Sequence, residues 1–195
     1  MEQPFLRGTI ERLILVALGS NGDSPYGGAR ATVQGAGEVL RAAFGDGVAI
    51  SRLFATPAFP AGSGPDFVNA AAAFHSAAAP GDILTRLHEI EAEFGRTRRK
   101  RWGQRSLDLD LIAVGDLVLP DPVTQAHWRD LHLSEQQRKA PEELILPHPR
   151  IQDRAFVLVP LADVADGWRH PELGLTVAQM YAACPEPEIA GVKPL

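Results

Sequence analysis

Two aspartates and a run of basic side chains meet in the stretch Arg96 to Val114, RTRRKRWGQRSLDLDLIAV. Arg96, Arg98, Arg99, Lys100, Arg101 and Arg105 come first. Leu107, Leu109 and Leu111 then alternate with Asp108 and Asp110. A period of two is that of a β-strand, in which residues two apart share a face and lie roughly 6.5–7 Å apart. The leucines therefore face a core, and both carboxylates project from the other side. An acidic pair beside a basic loop suits a polyphosphate carrying Mg²⁺. That ion prefers carboxylate and phosphate oxygens at roughly 2.0–2.1 Å, and paired ions sit about 3.5–4 Å apart, so the aspartates can hold one ion or two. Taken alone, D-x-D is more often the wet side of an amphipathic strand. Trp102 and Gly103 inside the charged run weigh against a merely solvated loop, and guanidinium groups suit bidentate phosphate contacts.

Composition narrows the class. The chain has 195 residues, 45% hydrophobic and 22% charged, which fits one soluble domain, 1–195, with a substantial core. A net charge of −5 argues against a general nucleic-acid binder and makes the local basic run more informative. Cys184 is the single cysteine, so no internal disulfide can form, and a reducing cytoplasm is expected. MEQPFLRGTIER is too polar for a signal peptide, and the apolar runs ILVAL and FVNAAAAF are too short to span a membrane.

The elements that must position the acidic pair read as follows. Residues 12–18, RLILVAL, are a strand buried on both faces, ending in a Gly19–Ser20–Asn21 turn. Gly19 there lets a flat ligand approach the backbone, although a plain tight turn accounts for it nearly as well. Val33, Ala36, Leu40, Ala43 and Phe44 form the stripe of a helix over 29–44, weakened by Gly35 and Gly37. Val48 to Ala55 alternates as a second strand with Ile50 inward, and TPAFPAGSGP at 56–65 is a long loop. Asp66 to Phe74 is a third strand with Phe67 and Asn69 on one face. Pro80 to Phe94 is the clearest helix, its stripe formed by Ile83, Leu87, Ile90 and Phe94 and its end set by Gly95. His88 and Glu91 read as solvated surface. Beyond the DLDL strand come a turn at Gly115–Asp116, a short strand at 117–120, a polar surface insertion at 121–143 with helix-forming residues at 134–140, and a rigid LPHPR segment at 146–150. A helix at about 176–183 and an edge strand at 189–193 complete the chain.

Up to residue 115 the order β-α-β-β-α-β is that of a ferredoxin-like α/β sandwich. The expected fold is thus α+β, a mainly antiparallel sheet with helices on one side and a C-terminal extension.

RWGQRSLDLDLI, with LGSN at 18–21, ATP at 55–57, PDFVNA at 65–70, IEAEFGR at 90–96 and LPHPRIQDRAFVLVPL at 146–161, resembles the 6-hydroxymethyl-7,8-dihydropterin pyrophosphokinases of folate biosynthesis. The blocks keep the family's order over about residues 10–165. The resemblance implies transfer of pyrophosphate from MgATP to 6-hydroxymethyl-7,8-dihydropterin, releasing AMP, by a monomer needing no nucleic acid or membrane. It implies Mg²⁺, as two ions, on Asp108 and Asp110, with Arg96 and Arg105 also catalytic. It places Gly19, Thr56, Pro57, Phe59, Phe67, Asn69 and Phe156 at the pterin, Phe67 and Phe156 as the two stacking rings. Glu91, Arg98, Trp102, Arg105, His148 and Arg154 fall at ATP. Gln104 departs from the proline or small residue usual at its place, Glu143 and Ile145 stand where some relatives have Arg and Thr, and 121–143 exceeds the family's usual length.

Two other readings of the basic run remain at this stage. A non-catalytic module of the same fold would bind nucleotide or RNA, and for RNA exposed aromatics on the central strands are wanted and acids are found. A kinase with another acceptor would release ADP instead of AMP.

Overall fold

The computed structural model describes residues 10–58, 64–95, 106–132, 135 and 138–195. Strand β1 (Arg12–Ser20) leads to helix α1 (Ala29–Phe44), then to two short strands, β2 (Ala49–Ile50) and β3 (Phe54–Thr56). Strand β4 (Phe67–Ser76), helix α2 (Pro80–Glu93) and strand β5 (Asp108–Val114) follow. The order across the sheet is β5-β1-β4-β3-β6, with β2 also on β4 and β6 at Lys193–Pro194. The β1–β4, β1–β5 and β3–β4 pairings are antiparallel, which is the ferredoxin-like arrangement with one strand added. The expected single strand over Val48 to Ala55 is broken at Ser51–Leu53, where Ser51 turns its backbone N–H to Ala71 O and its hydroxyl receives Ala71 N–H.

Alternation assigns each strand residue to a face. Ile14, Val16 and Leu18 of β1, Val68, Ala70, Ala72 and Phe74 of β4, and Leu107, Leu109 and Leu111 beside or in β5 make one core. Helix α1 packs Val33, Ala36 and Leu40 into it, and α2 packs Ile83, Leu87 and Ile90. Phe94 stays fully buried as the C-cap of α2, and Gly95 follows at φ 77°, a left-handed value that suits glycine.

The C-terminal extension lies on the sheet face opposite α1 and α2. Leu15, Ala71, Ala73, Ile112 and Ala113 form a second core on the opposite face. Helix α4 (Ala155–Ala165) covers it with Val157, Leu158 and Leu161, backed by Val177 and Met180 of helix α5 (Val177–Ala183). Ala71 and Ala73 are small enough for α4 to lie close. Arg52, in the break between β2 and β3, donates from backbone and guanidinium to Asp163 of α4, a half-exposed tie of modest strength.

Three further expectations change. Residues 117–120 form no strand, only an isolated bridge between Leu119 and Leu146. Helix α3 (Pro122–Arg129) occupies the start of the insertion, opened by Asp121, whose carboxylate accepts from Thr124 N at 2.9 Å. Further on, Lys139 N donates to Glu135 O at 2.8 Å; residues 134, 136 and 137 of the helix-forming stretch at 134–140 lie outside the described residues. The edge strand expected at 189–193 is instead helix α6 (Glu186–Ala190), followed by the two residues of β6.

Gly37 is buried in α1, and a Cβ added there would meet Ile50 at 3.5 Å, an ordinary contact. Gly37→Ala is therefore expected to stabilise the fold by about 0.5–1 kcal/mol through helix propensity, read as a higher denaturant midpoint. A lower midpoint would mean that Ile50 cannot yield to the methyl group.

Candidate active site

Asp108 and Asp110 lie on the face of β5 opposite its buried leucines, both half-exposed. The register sets them beside β1: Asp108 is opposite Gly19 and Asp110 opposite Ala17. Gly19 in turn faces Asn69 of β4, and Asn69 faces Phe54 of β3. One row across the sheet thus runs Asp108, Gly19, Asn69. Helix α4 covers the neighbouring part of this face and leaves the row near its own N-terminal end, where Arg154 and Phe156 stand.

Gly19 is needed by its neighbour. A Cβ at this position would lie 3.2 Å from Asn69 Oδ1, closer than such contacts usually come. Asn69 is buried and donates from Nδ2 to Thr56 Oγ1 at 2.8 Å, which fixes the amide orientation. Phe67, two residues before Asn69 and opposite Thr56, shares this face and is half-buried. Pro57 is exposed at the end of β3. Phe156 is 41% exposed in the first turn of α4, with the Arg154 guanidinium 5.7 Å from its ring centroid. Arg154 also reaches to 4.0 Å from Asp110 Oδ2, so cation, ring and acid form one group.

His148 reaches the same neighbourhood from a loop. Its backbone N–H donates to Ile112 O at 2.8 Å, and Ile112 is the extra residue of β5 where the pairing with β1 slips between Leu15 and Val16. Its Nδ1 accepts from Arg150 N at 3.1 Å, so in the neutral ring the proton is on Nε2. Burial, then the positive charges of Arg154 and Arg150, push its pKa down to about 3, against a smaller opposing pull from Asp108. His148 is thus a neutral donor beside two arginines.

The structure gathers Asp108, Asp110, Gly19, Asn69, Thr56, Phe67, Arg154, Phe156 and His148 around one face. Glu91 departs from expectation. It is 2% exposed rather than solvated, and its Oε1 accepts from Leu109 N at 2.7 Å, between the two aspartates. Phe59, Arg96, Arg98, Trp102 and Arg105 lie outside the described residues, as does Gln104. Sequence reasoning missed Ser20, fully buried, whose hydroxyl bonds Ser106 O at 2.5 Å and so ties the end of β1 to the approach to β5. It also missed Gln125 of α3, fully buried, which donates to Pro147 O at 3.2 Å. The only signal for that helix was Asp121–Pro122, an N-cap residue followed by proline at the first helical position.

Among the described residues no group of three or more His, Cys, Asp or Glu side chains gathers as a metal cluster. Two carboxylates on one face are still a hard-oxygen donor set of the kind Mg²⁺ uses together with waters and phosphate oxygens. No helix among the described residues is long and apolar enough to cross a membrane.

Residues 15–166 match the family described as 7,8-dihydro-6-hydroxymethylpterin-pyrophosphokinase (HPPK). A 2-amino-4-hydroxy-6-hydroxymethyldihydropteridine pyrophosphokinase of Synechocystis is 38% identical over 130 residues, covering 67% of this chain and 53% of that protein. Its namesake from Pseudomonas aeruginosa is 38% identical over 138 residues, covering 71% and 72%. The chain thus spans about half the length of the first relative. Among solved structures, Plasmodium falciparum HPPK-DHPS A437G with pteroate superposes with a TM-score of 0.58 at 12% identity, over 90% of this chain and 41% of that one. An HPPK-DHPS in complex with substrates gives 0.61 at 11%, over 89% and 43%. These structural likenesses concern the fold.

The depressed pKa of His148 has a consequence for stability. Because the folded value lies below the ordinary 6.5, the unfolded chain takes up this proton first as the pH falls. The contribution is complete above about pH 6.5 and is progressively lost toward pH 3, with a slope of at most about 1.4 kcal/mol per pH unit for one proton. His170, lowered to about 4 mainly by its burial, acts in the same direction. Denaturant titrations from pH 7 to pH 4 are expected to show a shallower decline for His148→Gln than for the parent protein. Equal slopes would contradict an imidazole kept neutral in the folded protein.

Proposed function

The chain belongs to the 7,8-dihydro-6-hydroxymethylpterin-pyrophosphokinase family, and from that premise we propose that it transfers pyrophosphate from ATP to 6-hydroxymethyl-7,8-dihydropterin in folate biosynthesis. The observation that carries the proposal is the row Asp108, Gly19, Asn69 on one open sheet face, with Asp110, Arg154 and His148 beside it. Such a row joins a place for a flat heterocycle to a place for phosphates.

In this reading Asp108 and Asp110 hold the Mg²⁺ of MgATP, as two ions. The metal supplies charge neutralisation on the phosphates and activation of the acceptor hydroxyl. Asn69, held by Thr56, offers its amide to the edge of the pterin, and Phe67 and Phe156 supply faces for stacking. Gly19 keeps the floor between amide and acid clear. Arg154 meets the phosphate chain with a charge that is always present, while neutral His148 donates from Nε2. The hydroxymethyl oxygen bonds the β-phosphorus as the bond from that phosphorus to the oxygen shared with the α-phosphate breaks. AMP leaves, and the hydroxyl proton passes to water. No described side chain at the site is an evident general base, so orientation and charge stabilisation are the main contributions of the protein.

On sequence alone the proposal adds Arg96 and Arg105 as catalytic cations, Arg98, Trp102 and Arg105 as further contacts to ATP, and Phe59 and Pro57 as pterin contacts. Glu91 is proposed at the adenosine, in addition to its bond with Leu109 N. The reading extends to a single catalytic domain acting as a monomer in the cytoplasm. One sheet shared by both helix layers supports the first of these, and a lone cysteine suits the last.

Incubation with MgATP and 6-hydroxymethyl-7,8-dihydropterin is expected to yield AMP in equal amount to the pterin diphosphate. ADP, or ATP turnover indifferent to the pterin, would sink the proposal. Asp110→Ala should lower kcat by more than about a hundredfold while shifting folding stability by no more than about 0.5 kcal/mol, as for a half-exposed side chain.

A further inference from the structure

We propose that helix α3 is a brace that positions His148, acting through Gln125 on one flank of the histidine and through Arg150 on the other. The inference rests on the reading of His148 as a phosphate donor given above.

Gln125 is the buried residue of α3, fully shielded from water. A surface helix held down by packing alone would bury an apolar side chain at such a point. Here both ends of a primary amide are in use: Nε2 donates to Pro147 O at 3.2 Å, and Oε1 accepts from Arg129 Nη1 at 2.9 Å. The amide therefore links the helix to the residue just before His148 and to the helix's own last turn.

Arg150 holds the other flank. Its guanidinium donates to Trp128 O at 3.2 Å and to Arg129 O at 3.4 Å, the carbonyls that close α3. A cation at a helix C-terminus meets the negative end of the helix dipole and satisfies carbonyls that lack intrahelical partners. The side chain is 11% exposed, so these bonds are largely shielded from water. The backbone N–H of the same residue donates to His148 Nδ1. Arg150 thus clasps the helix with its side chain and sets the histidine tautomer with its main chain. With His148 N bonded to Ile112 O of β5, the segment is fixed at three points, two of them supplied by α3.

Two measurements test the brace. In ¹⁵N-resolved NMR of the free protein, His148 should be a single Nε2–H tautomer, and Arg150→Met and Gln125→Leu should each turn it into a tautomer mixture, with Arg150→Lys in between. In calorimetric titration with a non-hydrolysable ATP analogue and MgCl₂, Arg150→Met and Gln125→Leu should each weaken binding by about tenfold, the scale for groups that orient a ligating residue. The KM for the pterin should stay within about twofold, because the pterin row is built on other strands. In a His148→Ala background the further loss from Arg150→Met should vanish, since the two act through one group. Independent, additive losses, or an unchanged tautomer in both variants, would overturn the proposal. If Arg150→Met does not fold, Gln125→Leu decides both arms. If His148→Ala binds the analogue as the parent does, the functional reading of His148 fails, and the tautomer experiment still decides whether α3 holds the ring.

Discussion

The two-residue period of β5 is the constraint on which the site depends. Leu107, Leu109 and Leu111 are buried under α1 and α2, so Asp108 and Asp110 have no choice of face. A slip of one residue would put two carboxylates into that core and the leucines into water. Burying even one unpaired carboxylate is prohibitive in an apolar interior, so the core enforces the register that aligns Asp108 with Gly19. Hydrophobic burial, which has no directional preference of its own, thereby fixes the direction of two charged groups.

β5 is also an edge strand, and edges are usually where register and pairing are weakest. Here the outer side of the strand is occupied from within the molecule. Glu91 of α2 accepts from Leu109 N, and the His148 amide donates to Ile112 O. Each bond stabilises modestly, yet each also does positional service: the first steadies the backbone between the two acids, and the second brings His148 to the same strand. The bulge at Ile112 matters for this second bond, because the extra residue shifts the pairing with β1 and leaves a carbonyl directed outward.

Much of this is legible in the sequence, and what is not has definable causes. β1 and β4 are read correctly because each is a short, almost wholly apolar run, and β5 and α2 because their apolar residues recur at two or at three to four positions. The shared face of Asp108 and Asp110 follows from that pattern alone. Helix α4 is illegible for the opposite reason: AFVLVPLADVA is apolar almost all round and carries Pro160, so periodicity gives no face and proline argues against a helix. The split between β2 and β3 depends on Ser51 bonding Ala71, a tertiary contact that no local signal announces. Glu91 reads as surface because a charged residue near a helix end usually is. Its burial is decided by the Leu109 N–H that it meets, a partner eighteen positions away. Gln125 is hidden in the same way, in a helix whose single clear mark is its N-terminal cap.

The buried polar groups show what hydrophobic packing leaves undone. Ser20 ties β1 to Ser106, Asn21 reaches Pro65 O, Asn69 holds Thr56, Glu91 holds Leu109 and Gln125 holds Pro147. Each of these buried side chains is bonded to a strand end or to a loop that reaches the proposed site, whereas the core beneath the sheet is almost wholly apolar. Apolar contacts tolerate small shifts with little loss, but a hydrogen bond weakens steeply with distance and angle, and a buried polar group left without a partner is costly. Placing such bonds where strands end fixes Ser106, Pro65 and Pro147 against the sheet and helix that hold them. That precision is what a site relying on orientation and charge rather than on a dedicated base requires, because misplacement of about 1 Å can cost such a reaction about a hundredfold in rate.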